Sequence, residues 1–253
     1  MSGVVNLATL FPLSNLPLAA RLLFNNRFNK TLEASYMASG PIRDPKTDDL
    51  LTPQNSALVI IDYQPLQVNS IASMDRNLLV NHIVAVAKTG VGFRLPIVHS
   101  TVNVKTGWNK PPIAPLRKAL EEYPTYDRTS INAWEDVEFR KAVEGTKRKK
   151  IIMTALWTEA CLIMPTLDML KEGYEIYVVA DAVGGTSPEA HEMALRRIQQ
   201  AGGRTTSVTA LICELQRDWN RRDTVELMID LFLSAGGTPG LQMMYDRDTA
   251  APK

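Results

Sequence analysis

The chain has 253 residues, of which 45% are hydrophobic and 22% are charged, and its formal net charge is +1. This composition supports a packed core and excludes a largely disordered chain. A net charge so near zero gives no electrostatic basis for binding nucleic acid or an acidic membrane surface, so neither is predicted as a partner. No apolar run reaches the roughly 18 residues that a membrane span needs.

The cysteine content indicates the compartment. The two cysteines, Cys161 and Cys213, cannot form a disulfide framework in so long a chain, which favours a reducing compartment such as the cytoplasm. The apolar N-terminus leaves an alternative open. It lacks the early positive charge of a secretory signal, with its first at Arg21, but it is poor in acids, and a targeting segment would make the protein organellar or exported.

The chain is predicted to consist of three parts. Residues 1–45 are predicted to form an N-terminal arm, 46–240 the main domain and 241–253 a C-terminal tail. The stretch 40–56 is rich in proline and polar residues, which predicts a linker from the arm into the domain.

Short apolar runs then alternate with segments of helical spacing. In chain order they predict a strand at 57–63, a helix at 74–93, a strand at 95–102, a helix at 114–124, a short strand or loop at 126–134, a helix at 135–146, a strand at 149–157, a helix at 159–173, a strand at 174–182, a helix at 187–203, a strand at 204–212 leading into a helical region, and a helix at 223–235. This alternation predicts an α/β fold of three layers, α/β/α, with a doubly wound, mostly parallel sheet of about six strands.

Chemistry in such sheets collects at the carboxyl ends of the strands. The residues at those ends are Asp62, His99-Ser100-Thr101, Arg128, Trp157-Thr158-Glu159 with Cys161 just beyond, and Asp181.

Three of these residues suggest a reactive centre. Asp62 follows an apolar strand, where a carboxylate suits proton transfer, although a helix cap fits its position equally well. Cys161 stands at a predicted helix start, where unpaired N–H groups and the helix dipole would lower the pKa of its thiol and make it a nucleophile. The alternative is a buried, inert cysteine, as we interpret Cys213. Arg128 would stabilise a thiolate and orient Asp62, or else form a surface ion pair with Asp127.

Several segments together carry a family resemblance. They are ALVIIDYQ (57–64), LPIVHST (95–101), INAWEDVEF (131–139), TEAC (158–161), GYEIYVVADAVGGTS (173–187) and LICELQRDW (211–219). In their order and spacing they resemble the isochorismatase-like cysteine hydrolases, and the NAW…F, TE-x-C and CEL-x-RDW segments resemble the YcaC-like branch. The resemblance covers roughly residues 55–235.

The resemblance implies a function and a set of site residues. The family's catalytic Asp falls on Asp62, its Cys on Cys161, and its usual Lys on Arg128. These residues would hydrolyse a small molecule, at an amide-type C–N bond, through a thioester-like intermediate. The resemblance also implies a substrate pocket and oxyanion site, with a cis peptide bond at Trp157–Thr158; the lining residues would be Gln64, Asn132, Trp134, Trp157, Thr158 and Ala160.

The metal-binding Asp-x-His of nicotinamidase relatives is missing, because Gln64 stands two residues after Asp62. We therefore expect neither a metal nor another cofactor. Glu159 is expected to be a structural hydrogen-bonding residue rather than an acid catalyst. The resemblance also implies a homo-oligomer, an octamer being one such form.

Two other functions are considered. Arg128 in the lysine position suggests a catalytically weak or inactive protein of this fold that binds a ligand or serves assembly, since a fold does not establish activity. A redox role pairing Cys161 with Cys213 requires Cα atoms within about 7 Å, which their predicted positions at different strand ends disfavour.

Overall fold

A computed structural model describes residues 43–235 and 237–249. Its sheet has six strands, all parallel, in the order β3-β2-β1-β4-β5-β6. The strands are β1 (Ser56–Ile61), β2 (Ile97–Val102), β3 (Thr125–Arg128), β4 (Lys150–Ala155), β5 (Glu175–Val179) and β6 (Arg204–Thr206). The predicted fold class is therefore confirmed.

The helices are α1 (Pro65–Asn69), α2 (Arg76–Gly92), α3 (Ala114–Ala119), α4 (Val137–Gly145), α5 (Ile163–Lys171), α6 (Pro188–Gln200), α7 (Val208–Gln216), α8 (Val225–Ala235) and α9 (Gly237–Thr249). Short 3₁₀ turns occupy Ala133–Glu135 and Ala180–Ala182, and a π-helical turn, Thr158–Leu162, leads into α5. Ser187 caps α6 by accepting a hydrogen bond from the Ala190 N–H, with proline following it, as the Ser-Pro pair predicts.

The period-two alternation of β1 divides the core between two faces of the sheet. Leu58 and Ile60 pack with residues of α2, α3, α7 and α8, whereas Val59 and Ile61 pack with residues of α4, α5 and α6. Because both faces are covered, every residue of β1 is buried. Burial on both faces explains why this strand is continuously apolar.

The strand order reverses at β1. The chain moves outward from β1 through β2 to β3 and then returns to place β4 on the other side of β1. In doubly wound sheets, the crevice between the carboxyl ends of two such strands is where ligands bind. Here the residues following β1 and β4 include Asp62 and Cys161.

The segment predicted as a linker packs on the domain in its described part. Leu51 is fully buried, and its N–H donates to the Glu214 carboxylate at 2.9 Å. Arg217 donates to Asp48 at 3.1 Å, and Lys150 donates to the backbone oxygen of Asp48 at 2.8 Å. The linker interpretation is therefore wrong from residue 43 onward, since charged residues of α7 and β4 hold this segment in place.

The strand predicted at 204–212 is shorter than expected. It ends at Thr206, because Ser207 caps α7 by accepting from the Ala210 N–H. Of the predicted arm, residues 1–42 lie outside the described residues, and the predicted tail boundary at 240 falls within α9. Among the described residues, no helix combines the length and apolarity that crossing a membrane requires.

Candidate functional site

Asp62 lies immediately after β1 with a left-handed backbone conformation, φ 63°. This conformation is uncommon outside glycine, and aspartate is among the residues that tolerate it best. The Asp62 N–H donates to the Ser100 oxygen of the neighbouring strand at 3.1 Å, so its backbone is fixed. Its side chain is fully buried.

Arg128, at the end of β3, pairs with Asp62 across β2. Its Nη1 donates to Asp62 Oδ1 at 2.8 Å and its Nη2 to Asp62 Oδ2 at 2.7 Å, which is a bidentate ion pair. Nη1 also contacts Ser100 Oγ and the Thr101 backbone oxygen, both at 3.1 Å, and Nη2 donates to the Ile131 oxygen at 3.2 Å.

This pairing decides two alternatives left open by the sequence. Asp62 does not cap the following helix, because Gln64 is the residue at the N-cap position of α1. Nor is Arg128 a surface ion pair with Asp127. Arg128 is only 2% exposed, and the Asp127 carboxylate accepts hydrogen bonds from Thr101 and from the N–H groups after β2.

Cys161 lies in the π-helical turn after β4, buried, with Asp62 and Arg128 both close enough to act on its thiol. Burial raises the pKa of the Cys161 thiol, as do the charge of Asp62 and a hydrogen bond to that carboxylate. The positive charge of Arg128 and a backbone hydrogen bond from Trp157 lower it, and the net result is a pKa of about 12.

The expectation of a lowered thiol pKa at Cys161 is therefore wrong. Desolvation and a neighbouring carboxylate together outweigh the helix start and the guanidinium. The resting group is a protonated thiol, which needs a base before it can attack. Asp62 is the carboxylate within its reach. For Arg128, burial alone lowers the pKa, but the Asp62 hydrogen bond and charge, with Cys161, raise it overall.

Within the described residues, the non-proline cis peptide bond lies between Leu156 and Trp157. The resemblance placed it at Trp157–Thr158, so that position is wrong by one residue. The bond joins the end of β4 to the π-helical turn. The Leu156 N–H still pairs with the Ile61 oxygen at 3.1 Å, and the Thr158 N–H donates to the Gly184 oxygen at 2.9 Å.

The other residues of the turn are held by neighbouring loops. The Trp157 indole donates to Ser70 Oγ at 2.7 Å, and Thr158 Oγ1 lies 2.8 Å from His191 Nδ1. Glu159 accepts from the Thr186 N–H at 2.9 Å and from its hydroxyl at 2.7 Å, which fits the structural role expected of it. Ala160 is partly exposed.

The polar atoms of the remaining predicted pocket residues are engaged within the protein. Gln64 is fully buried, and its amide donates to the backbone oxygens of Val102 and Lys110, at 3.0 and 2.8 Å. Asn132 donates to Asp168 of α5 at 2.8 Å, and the Trp134 indole donates to Glu172, the residue after α5, at 2.9 Å. Whether any of the three contacts a substrate stays a prediction.

Sequence reasoning selected some strand-end residues that lie outside this cluster. His99 is buried, and its desolvation lowers its pKa to about 4, so it is neutral at physiological pH. Asp181 accepts from the Val208 N–H at 2.9 Å and so fixes the start of α7. Cys213 is exposed on α7, which contradicts its interpretation as a buried structural cysteine.

His191 was missed by sequence reasoning, since a lone histidine in the first turns of a helix carries no distinctive spacing.

The described residues contain no cluster of three or more His, Cys, Asp or Glu able to hold a metal ion. The surface clefts of the described residues include two of about 470 and 320 Å³. The larger is lined by Trp134 and residues of α4 and α5, and neither is lined by Asp62, Arg128 or Cys161.

Comparison with known proteins agrees with this architecture. The isochorismatase domain model matches residues 56–210. The probable hydrolase YcaC of Escherichia coli is 30% identical over 183 residues, which is 72% of this chain and 86% of that protein.

Two solved structures are similar over most of their length. YcaC from Pseudomonas aeruginosa, with hexane-2,5-diol and covalent acrylamide, has a TM-score of 0.74 at 28% identity, covering 80% of this chain and 99% of that one. The Escherichia coli YcaC structure, an octameric hydrolase of unknown specificity, has a TM-score of 0.73 at 28% identity, with coverage of 83% and 99%. The chain therefore belongs to the isochorismatase family and, within it, is YcaC-like.

Proposed function

We propose that the protein is a cysteine-nucleophile hydrolase that cleaves an amide-type C–N bond of a small molecule. The observation that carries the proposal is the position of the buried Cys161 thiol, where Asp62 raises its pKa and Arg128 lowers it, while Arg128 holds both Asp62 oxygens in a bidentate ion pair. This arrangement supplies a nucleophile, a base and a fixed cation at the point of the sheet where such folds bind ligands.

The first half-reaction begins with proton transfer. Asp62 takes the Cys161 proton as the sulfur attacks the carbonyl carbon, which gives a tetrahedral oxyanion. The carbonyl oxygen then re-forms its double bond, the C–N bond breaks, and Asp62 returns the proton to the departing nitrogen. A thioester to Cys161 remains. The backbone N–H of Cys161 and those of the loop before it are the proposed oxyanion donors.

In the second half-reaction, Asp62 removes a proton from water, which attacks the thioester carbonyl. The acid is released as the proton returns to the Cys161 sulfur. Arg128 is permanently charged, so it does not carry protons in this scheme. Its role is to orient Asp62 and to limit the energetic cost of forming a thiolate in a buried place.

Covalent acrylamide in the Pseudomonas aeruginosa relative is consistent with a reactive group in this fold. The test is a panel of small amides and ureas incubated with the wild-type protein and with Cys161→Ala. We expect ammonia or amine release by the wild type only, and a mass increase on Cys161 when the acyl intermediate is trapped by acid quenching. Equal release by both proteins would refute the proposal.

A second candidate is a catalytically weak or inactive ligand-binding protein. It is favoured by the bidentate ion pair between Arg128 and both Asp62 oxygens, which a lysine cannot form. Under this alternative, the Cys161→Ala protein binds small amides as well as the wild type does, and neither protein releases product. Calorimetry alongside the product assay separates the two candidates.

We also propose that the protein is a homo-oligomer, as its Escherichia coli relative is an octamer, and that it acts in the reducing cytoplasm, where Cys161 and Cys213 stay as thiols. The proposed domain boundaries remain 46–240, with the arm at 1–45. Mass measurement of intact protein and of a version lacking residues 1–45 tests whether the arm contributes to assembly.

A further inference from the structure

The charge balance of the site bears on what it accepts. Cys161 is acted on by one anion, Asp62, and one cation, Arg128, and these are the charges with the largest effect on its pKa. Their charges cancel. All three side chains are buried, so water does not screen an added charge there effectively.

The terminal donors of Arg128 are already committed. The two Nη1 hydrogens face Asp62 Oδ1, Ser100 Oγ and the Thr101 oxygen, and the two Nη2 hydrogens face Asp62 Oδ2 and the Ile131 oxygen. The forked face with which arginine ordinarily binds a carboxylate is therefore occupied by the protein's own carboxylate. A carboxylate on a ligand would have to displace Asp62 or remain without a cationic partner.

A single guanidinium N–H is left. Arg128 Nε is buried and has no partner at hydrogen-bond geometry, and the Cys161 thiol is the neighbouring group, besides Asp62, that raises the pKa of the guanidinium. One N–H suffices for one neutral carbonyl oxygen, because such an oxygen carries only a partial charge. It does not offset the desolvation of a full negative charge, which in a buried place requires pairing and several hydrogen bonds.

We propose that the site selects small uncharged carbonyl compounds, of which primary amides are the simplest class, and excludes compounds with a carboxylate beside the reacting carbon. This inference rests on the proposed function for the identity of the reacting residue. It goes further by naming the charge of the substrate and the group that sets it, the Asp62–Arg128 pair.

The test uses two alkylating reagents of similar size, uncharged iodoacetamide and negatively charged iodoacetate. Both are applied at pH 9 to the full-length protein, and modification of Cys161 and Cys213 is followed by peptide mass spectrometry. Cys213 is exposed on α7 and serves as the internal control. Free glutathione gives the intrinsic ratio of the two rates.

We expect the iodoacetamide-to-iodoacetate rate ratio at Cys161 to exceed that at Cys213 by about tenfold or more, the factor to which an unpaired charge costing about 1.4 kcal/mol corresponds. In Asp62→Asn the site gains a net positive charge, so this excess should disappear or reverse. Circular dichroism verifies that the variant is folded.

An equal ratio at the two cysteines in the wild type, or a preference of Cys161 for iodoacetate, would overturn the inference. So would failure of iodoacetamide at Cys161 after an incubation about a thousandfold longer than Cys213 needs, which allows for the thiolate fraction that a pKa of about 12 leaves at pH 9. Alkylation needs no turnover. A protein that hydrolyses none of the amides can therefore still give the expected ratio, which separates this inference from the proposed function.

Discussion

Asp62→Asn should make Cys161 more reactive towards small reagents while making the protein a poorer enzyme. The carboxylate raises the pKa of the thiol both by its charge and by accepting its hydrogen bond. A charge within about 4–6 Å shifts a pKa by about 1–3 units. The variant also leaves Arg128 with no full negative charge beside it, which lowers the thiol pKa further.

The magnitude follows from these shifts. If the pKa of Cys161 falls from about 12 by about two units, the thiolate fraction at pH 8 rises about 100-fold. A less basic thiolate is also a weaker nucleophile, with a Brønsted coefficient of about 0.4–0.5, which takes back a factor of about eight. The net expectation is modification about tenfold faster by a small uncharged reagent such as methyl methanethiosulfonate.

Hydrolysis should change in the opposite direction. Removing a general base costs about 10²–10⁴-fold in rate, so amide turnover should fall by that factor. Both quantities are measured on the same preparation, labelling by mass spectrometry at Cys161 and turnover by ammonia release. Labelling of the exposed Cys213 reports any loss of folding, because it should not change.

Asp127→Asn is the matched control. Like Asp62→Asn, this substitution removes one negative charge near Arg128, but it does so in β3. The Asp127 carboxylate binds Thr101 and the N–H groups of Val104 and Lys105. Labelling of Cys161 should match the wild type. Unchanged or slower labelling in a folded Asp62→Asn protein would show that Asp62 does not hold the thiol in its protonated form. Unchanged turnover would show that Asp62 is not the base.

Two further predictions concern stability, measured by urea unfolding. The pKa of the Cys161 thiol is raised to about 12 in the folded protein, whereas it is about 8.5 in the unfolded chain. The stability that this raised pKa contributes is complete below about pH 8.5 and is lost as the pH rises from there through 12. Between pH 8 and 10 the wild type should therefore lose about 1–2 kcal/mol more than Cys161→Ala, and parallel pH profiles would contradict this. Gly185→Ala should destabilise by about 1–3 kcal/mol, because its Cβ would lie 2.6 Å from Glu159 Oε2 and 3.1 Å from the His191 Cα. Gly145→Ala, whose Cβ meets nothing within 4 Å, is the control and should cost nothing; equal stability of both variants would refute the packing argument.

Much of the fold was predictable because its signals are local. The apolar run at 57–61 reflects a strand buried on both faces, and Ser187-Pro188 marks a helix start through its own cap. The strand predicted at 204–212 was too long. β-branched residues continue past Thr206, but Ser207 already caps the start of α7. There the cap, and not strand propensity, decided the structure.

The sequence by itself predicted that Asp62 and Cys161 lie at the carboxyl ends of buried strands, since each follows a short apolar run that alternates with helical segments along the chain, which is typical of a parallel sheet. The tertiary structure decided how they interact. It put the guanidinium of Arg128 on both oxygens of Asp62, and it raised the pKa of the Cys161 thiol instead of lowering it. The physical reason is that the pKa of a thiol depends on desolvation and on charges brought close by other strands, and neither is encoded in the residues next to the cysteine.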